Sequence, residues 1–289
     1  MRMTINPSSS PMKNRFGILP GVVLVVSLFV VVSQTSEAAL ASDDASQSAY
    51  SDGWTAGDNG GTGFGEWSFT YGGGGPKGAL IGNSSANGDG SSGNINTTGN
   101  KSFGLYADPY NEIHATRSFT YGTLAAGQEF LVNLDNGYIN NGASVGFILQ
   151  KSDGTALFKY SFVGGQSFYQ YDVPSGTGGG NTSVGFTADG LSVAFALGSG
   201  NAFSVKVNGN VEGSGTLAAG DISKVEFFNI GTGPGPNYNF FFNSLQVVPE
   251  PTTIALSIFG ALALAGLVIR RVHSRSSFKL QPSSVTPAL

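Results

Sequence analysis

Short runs of branched and aromatic residues, separated by Gly, Asn, Asp and Ser, recur along the middle of the chain. Runs of this kind, bounded by turn residues, are typical of β-strands. In the run 202–207, Phe203, Val205 and Val207 alternate with polar residues, which predicts a strand with one solvated face. The pattern predicts strands at 66–71, 102–106, 113–121, 129–134, 144–151, 156–163, 167–173, 182–187, 191–197, 202–207, 224–230 and 239–247.

No stretch of the body has convincing helical periodicity, so crossover helices between parallel strands are not expected. The run 146–149 is apolar at successive positions, as in a central strand that is covered on both faces. The 44 glycines and the 11% of charged residues also suit a protein with many tight turns. Together these features predict an all-β fold, a two-sheet β-sandwich of the jelly-roll or concanavalin-like kind.

The N-terminus has the pattern of a secretory signal peptide. Lys13 and Arg15 precede an apolar run at 16–32, and small residues follow it. A basic region, a hydrophobic region and a small-residue exit, in this order, are what signal peptidase requires. Cleavage is expected after Ala38 or Ala41; a retained N-terminal membrane anchor is the alternative, and both export the body.

The C-terminus has the pattern of a membrane-spanning helix. The segment 252–269 is almost wholly apolar and reaches the short limit of about 18 residues for crossing a bilayer. Arg270, Arg271 and Arg275 follow it. Basic residues stay on the cytoplasmic side, so the body is expected on the other side of the membrane.

A proline-rich motif stands just before this helix, at Pro249, Glu250 and Pro251. Two prolines so close together predict an extended, accessible linker. The segment 248–275 resembles the sorting tail of PEP-CTERM proteins, which combine this motif with a short apolar helix and an arginine cluster. The resemblance implies an exosortase-type sorting enzyme as a partner, with the motif as its recognition element; the alternative is a plain single-pass anchor.

These segments divide the chain into four parts. They are a signal peptide at 1–41, a β-sandwich body at 42–247, a sorting and anchor segment at 248–275 and a cytoplasmic tail at 276–289. The resemblance implies anchoring in the inner membrane before processing. Afterwards the protein is expected at the cell surface or in the extracellular matrix.

The charge and the cysteine content exclude several function classes. Residues 42–251 contain 17 acidic and 7 basic residues, a formal charge of −10, which disfavours nucleic-acid binding. The sequence has no cysteine, so disulfides, thiolate zinc sites and a cysteine nucleophile are excluded.

Catalytic residues are sparse in the body. Its one histidine, His114, alternates with Ile113 and is expected on the solvated face of a strand. No Gly-x-Ser-x-Gly motif supplies a serine nucleophile. The glutamates are not clustered on one strand as concanavalin-like hydrolases have them; they are Glu66, Glu112, Glu129 and Glu226. The protein is therefore not expected to be an enzyme, with a glycoside hydrolase of concanavalin-like fold as one alternative.

A glycine-rich segment near residue 58 offers oxygen ligands. Asp52, Asp58 and Asn59 could converge on calcium, which binds carboxylate, amide and backbone oxygens. Asp and Asn are also ordinary turn residues, so a turn without any ion is the leading interpretation and a calcium site the alternative. No other cofactor is expected.

Aromatic residues beside Asn- and Asp-rich loops are candidates for contact with sugars. Exposed rings can cover sugar faces while amide and carboxylate groups bond the hydroxyls. The candidates are Trp54, Trp67 and Tyr106, and also Tyr110, Tyr138, Tyr169 and Tyr171. Aromatic rings of a β-sandwich are more often in the core, where Phe147, Phe195 and Phe227 are expected, and core packing is also the leading interpretation for the two tryptophans.

The sequence thus predicts an exported, sorted protein that serves as a non-enzymatic component of the matrix or envelope. Extracellular polysaccharide is the expected contact outside the cell. A lectin-like carbohydrate-binding module is the second alternative beside the hydrolase.

Overall fold

The computed structural model describes residues 39–86, 94–187 and 189–250. Within these ranges the fold consists of strands and one-turn 3-10 helices. The strands are β1 Ala41–Asp43, β2 Ser68–Gly72, β3 Lys77–Gly82, β4 Ser102–Ala107, β5 Glu112–Ser118, β6 Gln128–Asn136, β7 Ser144–Gln150, β8 Ala156–Val163, β9 Phe168–Asp172, β10 Gly180–Gly185, β11 Leu191–Leu197, β12 Ala202–Val207, β13 Asn210–Thr216, β14 Lys224–Ile230 and β15 Phe240–Pro249. The 3-10 helices are Ser48–Tyr50, Ser84–Ala86, Ser199–Asn201 and Pro236–Tyr238.

Several predicted features lie outside the described residues. They are most of the signal peptide, Pro251, the helix 252–269 and the arginines Arg270, Arg271 and Arg275. Among the residues that are described, no helix has the length and apolar character needed to cross a membrane.

The strands form two antiparallel sheets. One sheet has eight strands in the order β13-β12-β11-β6-β15-β4-β3, with β1 paired to β15 as well, and the other has seven in the order β10-β9-β8-β7-β14-β5-β2. The predicted all-β sandwich of two antiparallel sheets is therefore confirmed. The finer assignment to a jelly-roll or concanavalin-like class stays a prediction.

Aromatic side chains from both sheets fill the core. Phe227 of β14 stacks on Phe242 of β15, with ring centroids 3.7 Å and ring planes 5° apart. Phe147 and Phe195 are also fully buried, so the core positions predicted at Phe147, Phe195 and Phe227 are confirmed. Burying each such ring contributes about 1.5–3 kcal/mol relative to exposure, so these rings hold the two sheets together.

The body extends beyond its predicted limits at both ends. Ala41, assigned to the signal peptide, lies in β1 opposite Val247, and its side chain is fully buried. The Leu40 amide also donates to the Val247 carbonyl, at 2.8 Å. At the other end, β15 continues through Pro249. The paired strands thus begin one residue before 42 and end two residues after 247, because pairing between the two ends of the body is not visible in local sequence.

Candidate functional site

The two tryptophans predicted as sugar contacts lie in the core instead. Trp54 is 4% exposed and Trp67 is 1% exposed. Their rings meet edge to face at 4.9 Å, and Trp54 also packs on Phe242 at 5.7 Å. These positions confirm core packing for both tryptophans and remove them as sugar contacts, because a ring enclosed by other aromatic rings cannot cover a sugar.

Tyr106, the third predicted sugar contact, is half-buried on the outer face of the eight-stranded sheet. Its ring covers the backbone of Gly78 on β3, where a Cβ atom would lie 2.6 Å from the Tyr106 hydroxyl oxygen. Part of its ring is thus occupied by its own sheet.

Asn59 belongs to a buried ion-pair network rather than to a calcium site. Its side-chain oxygen accepts a hydrogen bond of 2.8 Å from Nη2 of Arg117 on β5. The Arg117 guanidinium also pairs with the Asp43 carboxylate, and both side chains are fully buried. A guanidinium at this distance repels a metal cation, so Asn59 is not available as a calcium ligand.

The other two predicted calcium ligands do not complete a site. Asp58 closes a turn, with its Oδ2 atom accepting a bond of 2.7 Å from the Thr55 amide. Asp52 is exposed on the surface. Among the described residues, no group of three or more His, Asp and Glu side chains is placed to hold a metal ion. The structure thus places Asp58 in a turn, as the leading interpretation of the sequence has it, beside the Arg117 ion pair.

The start of the proline-rich motif is held by the sheet. Pro249 lies opposite Gln128 of β6, and the Glu250 amide donates to the Gly127 carbonyl at 2.7 Å. Lys206 of β12 lies between Glu129 and Glu250 and pairs with both, at 4.0 Å from Glu250. The sequence predicts a free linker here, but Pro249 and Glu250 are part of the folded body.

His114 lies between two carboxylates on the outer face of the seven-stranded sheet, the solvated position that the sequence predicts. Its Nδ1 atom is 2.8 Å from Glu226 Oε1, and its Nε2 atom is 3.8 Å from Glu112 Oε2. Gln150 donates to the other Glu226 oxygen at 2.8 Å. The hydrogen bond to Glu226 raises the pKa of His114 above its usual value, although burial opposes the change.

Three loops meet at one end of the sandwich, and we call them the tyrosine end. They are residues 108–111, 137–143 and 231–239, which carry Tyr110, Tyr138 and Tyr238. Each loop connects one sheet to the other, from β4 to β5, from β6 to β7 and from β14 to β15. The crossing of the chain between sheets therefore brings three tyrosines to one edge of the molecule.

Tyr110 is the most distinctive residue of the tyrosine end. Its side chain is 98% exposed, and its backbone has φ of +68°. Of the six described non-glycine residues with positive φ, the other five are Asn or Ser. This conformation costs a bulky residue about 1–3 kcal/mol, so the surroundings must enforce it.

The side chain of Asn111 holds the positive φ of Tyr110 by bonding to the turn that precedes it. Its side chain is buried, and its Nδ2 atom donates to the carbonyls of Asp108 at 3.2 Å and Pro109 at 2.9 Å. Its backbone carbonyl accepts from the Gly231 amide at 2.9 Å. The turn that presents Tyr110 is therefore tied both to itself and to the loop 231–239.

A cavity of about 560 Å³ opens beside Tyr110. Its walls include Tyr110, Asn140, Asn141 and Ile230. These residues include one aromatic ring, two side-chain amides and one aliphatic side chain. Such a combination can accept and donate hydrogen bonds while covering an apolar surface.

A second cavity, of about 370 Å³, adjoins the first and shares Asn140 with it. Tyr138, Tyr238, Phe186 and Gln166 contribute to its walls. Tyr138 and Phe186 are 49% and 44% exposed, and the Tyr138 and Tyr238 rings meet edge to face at 5.9 Å. The second cavity thus repeats the combination of rings and amides.

Backbone hydrogen bonds fix the walls of both cavities. The Asn140 amide donates to the Thr232 carbonyl, and the Tyr138 amide donates to the Asn237 carbonyl, each at 2.9 Å. The buried Thr232 hydroxyl donates to the Tyr238 carbonyl at 2.8 Å. The loops 137–143 and 231–239 consequently form one bonded unit that needs little ordering when a ligand binds.

The sequence points to some of these residues and not to others. Tyr110 and Tyr138 are among the predicted aromatic candidates, and both are exposed. Tyr169, another candidate, is buried and bonds to Asn136, while Tyr171 is only half-buried. Five further cavity residues come from four separate loops, and their one sequence signal is the Asn- and Gly-rich composition of those loops; they are Asn140, Asn141, Gln166, Phe186 and Tyr238.

Comparisons with known proteins give no family. No protein-family model matches the sequence, and a search of curated proteins finds no match. Among solved structures, the chain is similar to a sialidase at 13% identity with a TM-score of 0.48, over 74% of this chain and 19% of the sialidase. It is similar to the globular domain of T. cruzi calreticulin at 7% identity with a TM-score of 0.46, over 74% of this chain and 95% of that domain.

A galectin of Caenorhabditis elegans, LEC-6, is similar at 12% identity with a TM-score of 0.34, over 44% of this chain and 85% of the galectin. At these identities and scores, the similarities carry no information about what the chain binds.

Proposed function

We propose that the protein is an exported, non-enzymatic binding protein that contacts extracellular polysaccharide through the tyrosine end. The observation that carries the proposal is Tyr110, a fully exposed ring held at φ of +68° beside a cavity lined by Asn140 and Asn141. Exposing a tyrosine ring gains nothing for folding, and its backbone conformation costs stability. A ligand that covers the ring accounts for both features.

Sugar chemistry fits this arrangement. A pyranose has apolar C–H faces that pack on an aromatic ring and hydroxyls at its rim that bond to amides. The tyrosine end offers Tyr110 and Tyr138 for the faces, and Asn140 and Asn141 for the hydroxyls.

The geometry of the carboxylates supports a binding role over hydrolysis. Glycoside hydrolysis needs two carboxyl groups about 5–9.5 Å apart, with the sugar or a water between them. Between Glu112 and Glu226, the space is filled by the His114 imidazole, which bonds to Glu226. The described walls of the cavities at the tyrosine end contain no carboxylate.

Binding is tested with the full chain, purified in a detergent without a sugar headgroup, on an array of bacterial and plant oligosaccharides. The expected result is selective binding that Tyr110→Ala reduces at least tenfold. Tyr71→Ala is the matched control, because Tyr71 is 56% exposed but lies on β2, outside both cavities. If the folded protein binds no glycan, or if both variants behave alike, the proposed function is wrong.

Export and sorting complete the proposal. The signal helix, the membrane helix 252–269 and the exosortase tail are supported by the sequence patterns at the two ends. Signal-peptide cleavage is expected after Ala38 rather than Ala41, because cleavage after Ala41 would remove a fully buried residue of β1.

Mass spectrometry of the protein from its native cells tests this route at both ends. The expected N-terminus is Ala39, and the expected C-terminus lies between residues 249 and 253. An intact tail in the mature material would remove the sorting proposal and leave glycan binding untouched.

A further inference from the structure

The two cavities of the tyrosine end adjoin at a single residue, Asn140. We infer that they are successive subsites for an uncharged polysaccharide chain, which crosses from the Tyr110 cavity to the Tyr138 cavity over Asn140. This inference rests on the proposed function and goes further, because it names the charge and the minimum length of the ligand.

The sizes of the cavities favour a chain over a single sugar. Each of them, at about 560 and 370 Å³, is by itself in the range of about 300–1,000 Å³ that small-molecule sites occupy. Each has its own exposed ring, Tyr110 in the first and Tyr138 in the second. A monosaccharide can use only one ring, whereas linked units can cover both.

The charge of the walls favours a neutral ligand. The described residues that line the two cavities are all uncharged. The body as a whole carries a formal charge of −10 over residues 42–251. A uronate or sulfate group would meet no cation here and would be repelled by the net charge, while hydroxyls are satisfied by Asn140, Asn141 and Gln166.

The same features exclude a nucleic acid as the occupant. Stacking of bases on exposed aromatic rings occurs in single-strand binding proteins, but together with a basic groove for the phosphates. The tyrosine end has the rings without the basic groove.

The junction between the subsites is rigid. Asn140 is fixed through its amide to Thr232 and through its carbonyl to the Ala143 amide, both at 2.9 Å. Gly164 packs directly on it, since a Cβ atom at Gly164 would lie 1.9 Å from the Asn140 carbonyl oxygen. A fixed junction keeps the two rings at a constant separation, as binding to a regular polymer requires.

The test uses an array of neutral and anionic oligosaccharides in matched lengths from one to six units, followed by calorimetry on the tightest binders. We expect the binders to be neutral, and their affinity to rise at least tenfold from one unit to four. Asn140→Ala should weaken every length, whereas Gln166→Ala should weaken the longer oligosaccharides and leave the shortest unchanged. Asn181→Ala, an exposed amide on β10, is the control.

Three results overturn the inference. They are tightest binding to an anionic glycan, equal affinity for one unit and for four, and an equal effect of Gln166→Ala at every length. If Tyr110→Ala still abolishes binding in any of these cases, glycan binding at the tyrosine end stands and only the two-subsite, neutral-chain inference falls. If the folded protein binds no glycan, both fall together.

Discussion

At the scale of single residues, Arg117 determines how the N-terminal segment is held. Its Nε atom donates to the Gly65 carbonyl at 2.8 Å, and its other nitrogens bond to Asp43, Tyr50, Asn59 and Gly60. The guanidinium also faces the Trp67 ring at 4.8 Å. Burial raises the pKa of Asp43 and the guanidinium opposes this, so the pair is stable only because both partners are present.

Asp43→Asn is expected to lower the free energy of unfolding by about 3 kcal/mol, because it leaves the buried Arg117 charge without its counterion. Urea denaturation followed by tryptophan fluorescence measures the change, since Trp54 and Trp67 lie in the same region. Asp52→Asn removes the same charge at an exposed position and should change stability by less than about 0.5 kcal/mol. Equal effects of the two substitutions would contradict the role of the ion pair.

The His114–Glu226 pair predicts how stability depends on pH. The pKa of His114 is raised, so its contribution is complete below the ordinary histidine value of 6.5 and is lost as pH rises through the folded-state pKa. Burial raises the pKa of Glu226, but the hydrogen bonds from His114 and Gln150 and the charge of His114 have the larger combined effect. The pKa of Glu226 is therefore below its ordinary value. The Glu226 contribution is therefore present above its ordinary value of 4.5 and is lost as pH falls below that value.

The pair should stabilise the body most between about pH 4.5 and 6.5, by about 1 kcal/mol. Thermal unfolding from pH 4 to 8 measures this contribution. His114→Gln keeps a hydrogen-bond donor but does not titrate, so the loss of stability between pH 6 and 8 should disappear in this variant. Glu66→Gln, at an exposed glutamate, should keep the wild-type profile. A His114→Gln profile identical to wild type would contradict the prediction.

At the scale of elements, the end of β15 links folding to the proline-rich motif. Lys206 pairs with Glu129 and Glu250, and the Glu250 amide bonds to Gly127 at 2.7 Å. Lys206→Met should loosen this end and accelerate hydrogen exchange at the Glu250 amide at least fivefold, which corresponds to about 1 kcal/mol. Lys224→Met, on β14 of the other sheet, is the control. Unchanged exchange at Glu250 would show that the lysine does not hold the motif.

The strand predictions succeed and fail for one physical reason. Where a strand packs on the core, alternation of apolar residues is obligatory, and the bounds of β8, β11, β12 and β14 agree with the sequence prediction. The missed strands are β1, β3 and β13. The last two are the edges of the eight-stranded sheet and have no fully buried residue. The sequences of these two strands lack alternation of apolar and polar residues, so periodicity does not reveal them.

The site predictions fail for a related reason. An aromatic residue in a glycine-rich segment has the same local sequence whether its ring points inwards, as at Trp54, or outwards, as at Tyr110. The direction depends on what packs against the residue, which is the rings of Trp67 and Phe242 for Trp54 and the Asn111 turn for Tyr110. The sequence can therefore predict that aromatic rings meet amides, but not which ones.

At the scale of the whole molecule, the described features that suit a ligand lie at one end. On the outer face of the seven-stranded sheet, the polar groups of His114 and Glu226 bond to each other. In the N-terminal segment, the Arg117 ion pair is fully buried. The tyrosine end combines exposed rings, amides and fixed loops. β15 begins at Phe240, next to the tyrosine end, and ends at Pro249. A membrane tether that follows Pro249 would therefore be attached at the other end of this strand from the tyrosine end.

The most direct test of the central claim is calorimetric titration of the full chain with its tightest-binding neutral oligosaccharide, for wild type and for Tyr110→Ala. Wild type is expected to bind, and Tyr110→Ala is expected to bind at least tenfold more weakly at unchanged thermal stability. Binding that survives in Tyr110→Ala at the wild-type affinity would contradict the assignment of the tyrosine end as the glycan site.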